Sequence, residues 1–336
     1  MSYISLREFG YNFLGPLGCF LSQEIYQNVS NNEKVFFLAR EGYFLNKFFS
    51  KWLENKGRYL EHDYLTVSRS FLFKIGLINK KTLDISLNCS FSGTVKSLFE
   101  NRFSLSQDEI HKIFKMDQNK NICLPEDIEY VKKIIYKNEI DIKTIIKPKY
   151  DLYSKYLDDK GFFKEEISVV DIGYNGTIQK LLSLLYSKNI NGHYLITHKD
   201  EKNDIGGLRT NITGYLKTDV KFGDGYVPLD RSIIIESLLT APVGQLVDID
   251  TDGFKYGRKV TVQSSRQDLD VIFDGGYMLA EEKNRSEYTK KDLETILNSY
   301  LINLNIIPKQ AMHLFDIDDD ISGFGTINAL KMWGVL

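Results

Sequence analysis

Three cysteines in 336 residues, Cys19, Cys89 and Cys123, lie far apart and in no paired spacing. That removes a disulfide framework and a cysteine-based zinc site from the readings open to the chain, and it suits a reducing compartment. Charge of one sign is equally scarce: 43 Lys and Arg against 45 Asp and Glu leave a formal net charge of −2. Recognition of nucleic acid needs a basic face or block, so nucleic acid is not an expected partner. No apolar run approaches the ~20 residues of a membrane span, and the N-terminus lacks the basic-then-apolar pattern of a secretory leader. The expected location is therefore the cytoplasm. Neither a repeat nor a low-complexity segment is present. What remains is a chain with 43% hydrophobic residues, enough to build the core of one large or two modest domains.

One stretch stands out: Val169-Val170-Asp171-Ile172-Gly173-Tyr174-Asn175-Gly176-Thr177-Ile178-Gln179. Ile167 to Ile172 reads as a buried parallel strand, and Ile178, Leu181, Leu182 and Leu185 follow at helical spacing. Gly173 and Gly176 let the intervening backbone turn sharply and approach a ligand, and the first N–H groups of the new helix face an anion. Asp171 sits at the strand's carboxyl end, where ligands of open α/β sheets collect. The glycine spacing fits neither a dinucleotide fingerprint nor a P-loop, and Tyr174 and Asn175 interrupt the closely spaced glycines of a methyltransferase-like site. An acid for ribose hydroxyls followed by small and hydroxylic residues fits a phosphoribosyl site. An ordinary strand-to-helix turn capped by Asn175 or Thr177 is the plain alternative, and Gln179, one turn in, fits either.

A second apolar strand, Lys34 to Ala39, delivers Arg40, Glu41 and Gly42 to a helix start, and a third, Tyr64 to Val67, runs into Ser68-Arg69-Ser70. If these strands are parallel neighbours, Arg40, Ser68 and Arg69 share a rim, and two strand-end arginines suit a polyphosphate. Glu236 is conspicuous between apolar residues in Ile234-Ile235-Glu236-Ser237-Leu238; it reads as a general base or as the partner that fixes Arg69. His198 reads as a surface or core-edge histidine. Asp248-Ile249-Asp250 has the Asp-x-Asp form of a sugar-nucleotide metal site, yet Thr251-Asp252-Gly253 beside it favours a turn.

Phe37-Leu38-Ala39-Arg40-Glu41-Gly42-Tyr43, the Val67-Ser68-Arg69 strand end, Val170 to Gln179, Glu236 to Pro242 and the N-terminal Leu14-Gly15-Pro16-Leu17 together resemble the glycan-directed phosphoribosyltransferase domain of bacterial ribofuranosyltransferases. The resemblance spans roughly residues 10 to 320. That domain is often fused to a haloacid-dehalogenase-like phosphatase. Glu41 departs from the family, which has Asp there.

The resemblance implies transfer of 5-phosphoribosyl from phosphoribosyl diphosphate (PRPP) to a hydroxyl of a surface polysaccharide, capsule or O-antigen. The product is a β-ribofuranosyl 5-phosphate unit, dephosphorylated later. It implies Asp171, Gly173, Tyr174, Asn175, Gly176, Thr177 and Gln179 at the ribose and 5-phosphate. Arg40, Glu41, Gly42, Ser68 and Arg69 would lie at the diphosphate, with Asp171, Glu236 and Arg40 catalytic. Mg²⁺ is expected to be bound mainly through PRPP's own phosphates and hydroxyls, with no dedicated carboxylate cluster. The expected partners are a lipid-linked glycan acceptor at the cytoplasmic face of the inner membrane and a separate phosphatase, since Asp316-Ile317-Asp318 reads as part of an acidic surface loop, Asp316 to Asp320. A sugar-nucleotide glycosyltransferase using Asp248-x-Asp250 and a non-enzymatic glycan-binding subunit are the alternatives.

The expected fold is α/β, a mainly parallel phosphoribosyltransferase-like sheet with helices on both faces, in one domain over residues 1–336. Residues 77–160 read as a helical cap or insertion, and 263–336 as a C-terminal helical segment. Within them, Ser106-Gln107-Asp108-Glu109 has the form of a capping box, Gly15-Pro16 should kink or restart the first helix, and Val247 to Val262 reads as a hairpin.

Overall fold

The computed structural model describes residues 5–114, 118–199, 201–259, 263, 265–282, 287–319 and 325–332. Its strands are β1 (Lys34–Leu38), β2 (His62–Leu65), β3 (Phe91–Thr94), β4 (Asn121–Leu124), β5 (Ile167–Asp171), β6 (Ile190–Ile196), β7 (Glu201–Ile205), β8 (Leu208–Lys217), β9 (Leu246–Asp250), β10 (Gly253–Tyr256), β11 (Asp316–Asp319) and β12 (Gly325–Asn328). Six form one sheet in the order β2-β1-β5-β6-β8-β7. The first five are mutually parallel, and β7 closes the edge antiparallel to β8. β1 is buried along its whole length, as expected of a strand covered on both faces.

Strand alternation divides the apolar residues between two cores. Val35, Phe37, Val170 and Ile172 enter one, while Phe36, Leu38, Ile167 and Val169 enter the other. The helix after β1, Gly42–Asn55, puts Phe44, Leu45, Phe48 and Phe49 on the first core. The helix after β5, Thr177–Tyr186, puts Leu181, Leu182 and Leu185 on the second. Two adjacent strands thus send their helices to opposite faces. A crevice opens between the helix starts, at the point where the order of the parallel strands reverses.

Residues 77–160 pack on the second face through helices Lys80–Leu87, Val95–Asn101, Gln107–Ile113, Ile128–Lys137 and Glu139–Asp159. They also contain the antiparallel β3–β4 pair, which helical periodicity did not announce because each strand is only four residues long. The Ser106 capping box forms, with Ser106 Oγ accepting from the Glu109 N–H at 3.2 Å and Glu109 returning the contact at 2.8 Å. Three short expectations are corrected. β2 ends at Leu65, so Ser68 caps a helix that Arg69 begins. Asp248 and Asp250 lie within β9 rather than a turn, and the hairpin ends at Tyr256; residues 260–262 lie outside the described residues. The acidic run Asp316–Asp319 pairs with β12 as a strand, where an acidic surface loop was expected; backbone pairing overrides the preference of acids for loops.

On the first face, helices Arg266–Glu281 and Lys290–Ile302 cover the N-terminal helices. The first of these is interrupted by a π-helical turn, Gly10–Leu14, before Gly15–Asn28 restarts with Pro16 in its opening turn. A Cβ on Gly10 would lie 1.8 Å from Ile272 O, and one on Gly275 would lie 1.9 Å from Arg7 O. Gly10→Ala should therefore force the two backbones apart and cost about 1–3 kcal/mol, read as a lower midpoint in urea. An unchanged midpoint would show that the crossing is loose.

Candidate active site at the carboxyl ends of β1 and β5

A cavity of about 200 Å³ fills the crevice. The chain beyond β1 contributes Ala39, Arg40 and Glu41; beyond β2, Val67, Ser68 and Arg69; at the end of β5, Asp171 to Ile178; and from later segments Glu236 and Gln245. Arg40, Arg69, Asp171, Gly173, Tyr174, Asn175, Gly176, Thr177 and Glu236, gathered from four separate stretches, therefore share one rim as the sequence predicts. The Ala39–Arg40 and Gly173–Tyr174 peptide bonds on its wall are cis.

The helix Thr177–Tyr186 begins without any side-chain cap. Gly176 occupies the N-cap position at φ 61°, a left-handed conformation that glycine alone adopts without strain, and Asn175 is exposed. The capping roles considered for Asn175 and Thr177 are thus not filled. The first-turn N–H groups keep their partial positive charge at the cavity.

Around that helix start stand three carboxylates and two guanidiniums. The Asp171 carboxyl is held well above the usual carboxylate range, first by burial and then by Glu41 and Glu236, while the Ile172 N–H at 2.7 Å and Arg69 pull the other way. Glu236 is also raised, by burial and by Glu41; the Tyr174 hydroxyl, donating at 2.6 Å, and Arg69 and Arg40 offset part of that. Glu41 accepts from the Arg40 backbone N–H at 2.9 Å. Crowded acids whose ionisation is opposed by their surroundings are poised to take a cation or to exchange a proton.

Among the described residues no group of three or more His, Cys, Asp or Glu side chains is arranged to hold a metal ion. Mg²⁺ carried by a ligand's phosphates requires no such cage, only one or two carboxylates with water completing its octahedron. Asp171 and Glu41 are the cavity carboxylates that would serve, Asp171 on giving up its proton.

Three residues assigned from sequence do other work. Gln179 is buried outside the cavity: its amide donates to Ile190 O at 2.8 Å and Asn211 O at 2.9 Å, and accepts from the Tyr194 hydroxyl at 2.9 Å. It locks the helix onto β6 and β8 because it lies on the helix face toward the sheet. Gly42 lies beneath its helix, where a Cβ would stand 2.5 Å from the Phe37 carbonyl carbon. Ser68 borders the cavity, but its hydroxyl accepts from the Phe71 N–H at 3.1 Å and donates to Leu246 O. Sequence reasoning missed Gln245, which reaches the rim from the loop after Pro242 and carries no local motif. It also missed the Tyr174–Glu236 bond, which joins residues 62 positions apart.

The Asp-x-Asp pair is engaged elsewhere. Asp248 is bound by Lys74 at 2.9 Å and Lys149 at 2.6 Å, lysines that also pair with Glu109, and Asp250 pairs with Lys255 at 3.2 Å. No helix of the described residues is long and apolar enough to cross a membrane. The chain matches no protein-family model, and a search of curated proteins finds no match.

Proposed function

We propose that this protein transfers 5-phosphoribosyl from PRPP to a hydroxyl of a bacterial surface polysaccharide, capsule or O-antigen. One observation carries the reading: two arginines, an uncapped helix start and two half-buried acids with raised pKa values meet in a single polar cavity at the sheet's switch point. A sugar with a phosphate at each end needs that combination.

The helix N–H groups at Thr177 and Ile178 hold the 5-phosphate, and Asp171 accepts from the ribose hydroxyls. Arg40 and Arg69 face the diphosphate. As the C1–O bond breaks, its electron pair goes to the diphosphate, whose growing charge the guanidiniums stabilise. The acceptor oxygen bonds to C1 and its proton passes to Glu236, whose raised pKa makes it the stronger base. Mg²⁺ carried by the donor would neutralise phosphate charge, and Asp171 and Glu41, which line the cavity, would hold it. The 5-phosphate stays on the product, and a separate phosphatase removes it. The acceptor is a lipid-linked glycan presented at the cytoplasmic face of the inner membrane.

The test is incubation of the purified protein with PRPP, Mg²⁺ and a panel of short glycans, followed by mass spectrometry. The expected product is heavier than the acceptor by one phosphoribosyl unit and becomes the plain riboside on adding phosphatase. Transfer only from a nucleotide sugar, or direct release of the dephosphorylated riboside, would overturn the proposal.

A further inference from the structure

A second cavity, of about 320 Å³, adjoins the first and shares Tyr174 and Asn175 with it. Its remaining walls are Lys180, His198, Lys199, Lys221 and Ile212. Three lysines and no carboxylate make it basic, whereas the first cavity is crowded with acids. Lys199 and Lys221 are exposed. Asp224 lies close by, where it accepts from the Lys221 backbone N–H at 2.8 Å, outside the lining. Burial and Lys221 lower the pKa of His198, so its ring is neutral near pH 7 and adds no fourth charge.

Aromatic rings complete the surface. Phe222 is 55% exposed, and its ring lies 5.4 Å from that of Tyr174 and 5.6 Å from that of His198. Tyr174 and His198 are 6.0 Å apart. An exposed phenylalanine held against two polar-tipped rings offers an apolar face beside hydrogen-bonding groups. That suits a pyranose ring, whose C–H face is apolar and whose rim is polar. The lysines beside it are point charges suited to a carboxylate or a phosphate ester. Tyr174 connects this surface to the reaction centre, because its hydroxyl donates to Glu236.

We infer that this basic, ring-walled cavity is the acceptor subsite and that the acceptor is an acidic glycan, one carrying a carboxylate or a phosphate on a sugar at or near the reacting residue. The inference rests on the transfer reading above, which left the acceptor's chemistry open. It also gives the two substrates separate places: the donor's phosphates occupy the arginines and helix start of the first cavity, and the acceptor's anionic group meets the lysines of the second.

The experiment is calorimetric titration, without donor, of three oligosaccharides sharing one backbone: uncharged, bearing a hexuronate, and bearing a phosphomonoester. Wild-type protein should bind at least one charged form about tenfold more tightly than the uncharged one, the increment expected of one charged hydrogen bond, and added salt should erode the preference. Whichever charged form prevails identifies the group. Lys199→Ala/Lys221→Ala should lose the preference, and Phe222→Ala should weaken binding of all three. Equal affinity for charged and uncharged forms, or an unchanged double variant, would overturn the inference. PRPP is titrated separately into wild type and the double variant, where equal affinities are expected. Failure of wild type to bind PRPP would sink the transfer reading while the acidic-sugar preference still reports on the second cavity.

Discussion

Asp171→Asn should abolish transfer while leaving a folded protein that melts at or above the wild-type temperature near neutral pH. Asn is nearly isosteric and can still accept from the Ile172 N–H, but it lacks the carboxylate that receives the ribose hydroxyls. The stability effect follows from the burial of the Asp171 carboxyl and its crowding by Glu41 and Glu236, which raise its folded pKa. The folded protein therefore keeps a proton that the unfolded chain releases near pH ~3.9. That stability is fully present below the unfolded pKa and is lost as pH rises through the folded one. Wild type should thus weaken from about pH 4 upward, and the variant, with one fewer acid to ionise, should weaken less. Thermal melts at pH 4 to 8 alongside PRPP calorimetry check both halves. A variant that melts far below wild type at pH 7 with donor affinity intact would make Asp171 a structural residue.

Arg40→Ala and Arg69→Ala should each reduce kcat by about 10²-fold to 10³-fold, the range seen when one donor to a developing oxyanion is removed. Charge on the diphosphate grows as the bond to C1 breaks, so turnover should fall more than donor affinity. Both arginines also lower the pKa of Glu236. Losing either raises that pKa further, and the acid limb of the kcat profile, where Glu236 must be ionised to act as base, should move to higher pH. Steady-state kinetics from pH 5 to 9 with direct measurement of PRPP affinity reads all three effects. Wild-type turnover in both variants would remove these residues from the mechanism.

Much of this site is legible along the chain because its parts are local. A strand, a glycine loop and a helix start are encoded within eleven residues at Val169 to Gln179, and the same grammar recurs at Lys34 to Gly42. The acid and the two glycines carry their chemistry in their identities. Where the reading failed, the missing information was direction or distance. Gln179 and Thr177 are two positions apart, yet helical rotation sends one to the sheet and leaves the other at the cavity. Ser68 is polar and well placed, but its hydroxyl is consumed by Phe71 and Leu246. Asp248 is drawn into an ion network by Lys74 and Lys149, from helices far away in sequence.

The sequence by itself determined the α/β class, the strand-end position of Arg40 and Asp171, and a helix start directly after the Gly173 to Gly176 loop, since side-chain periodicity and glycine's backbone freedom act over a few residues. Only the tertiary structure decided that β1 lies between β2 and β5, because the β1–β5 pairing joins segments more than a hundred residues apart through nearly uniform apolar strands that carry no mark of their neighbours. That order opens the crevice, crowds three carboxylates into it and raises two of their pKa values. It also sets Lys199, Lys221 and Phe222 beside Tyr174, a surface assembled from turns that encode nothing of one another.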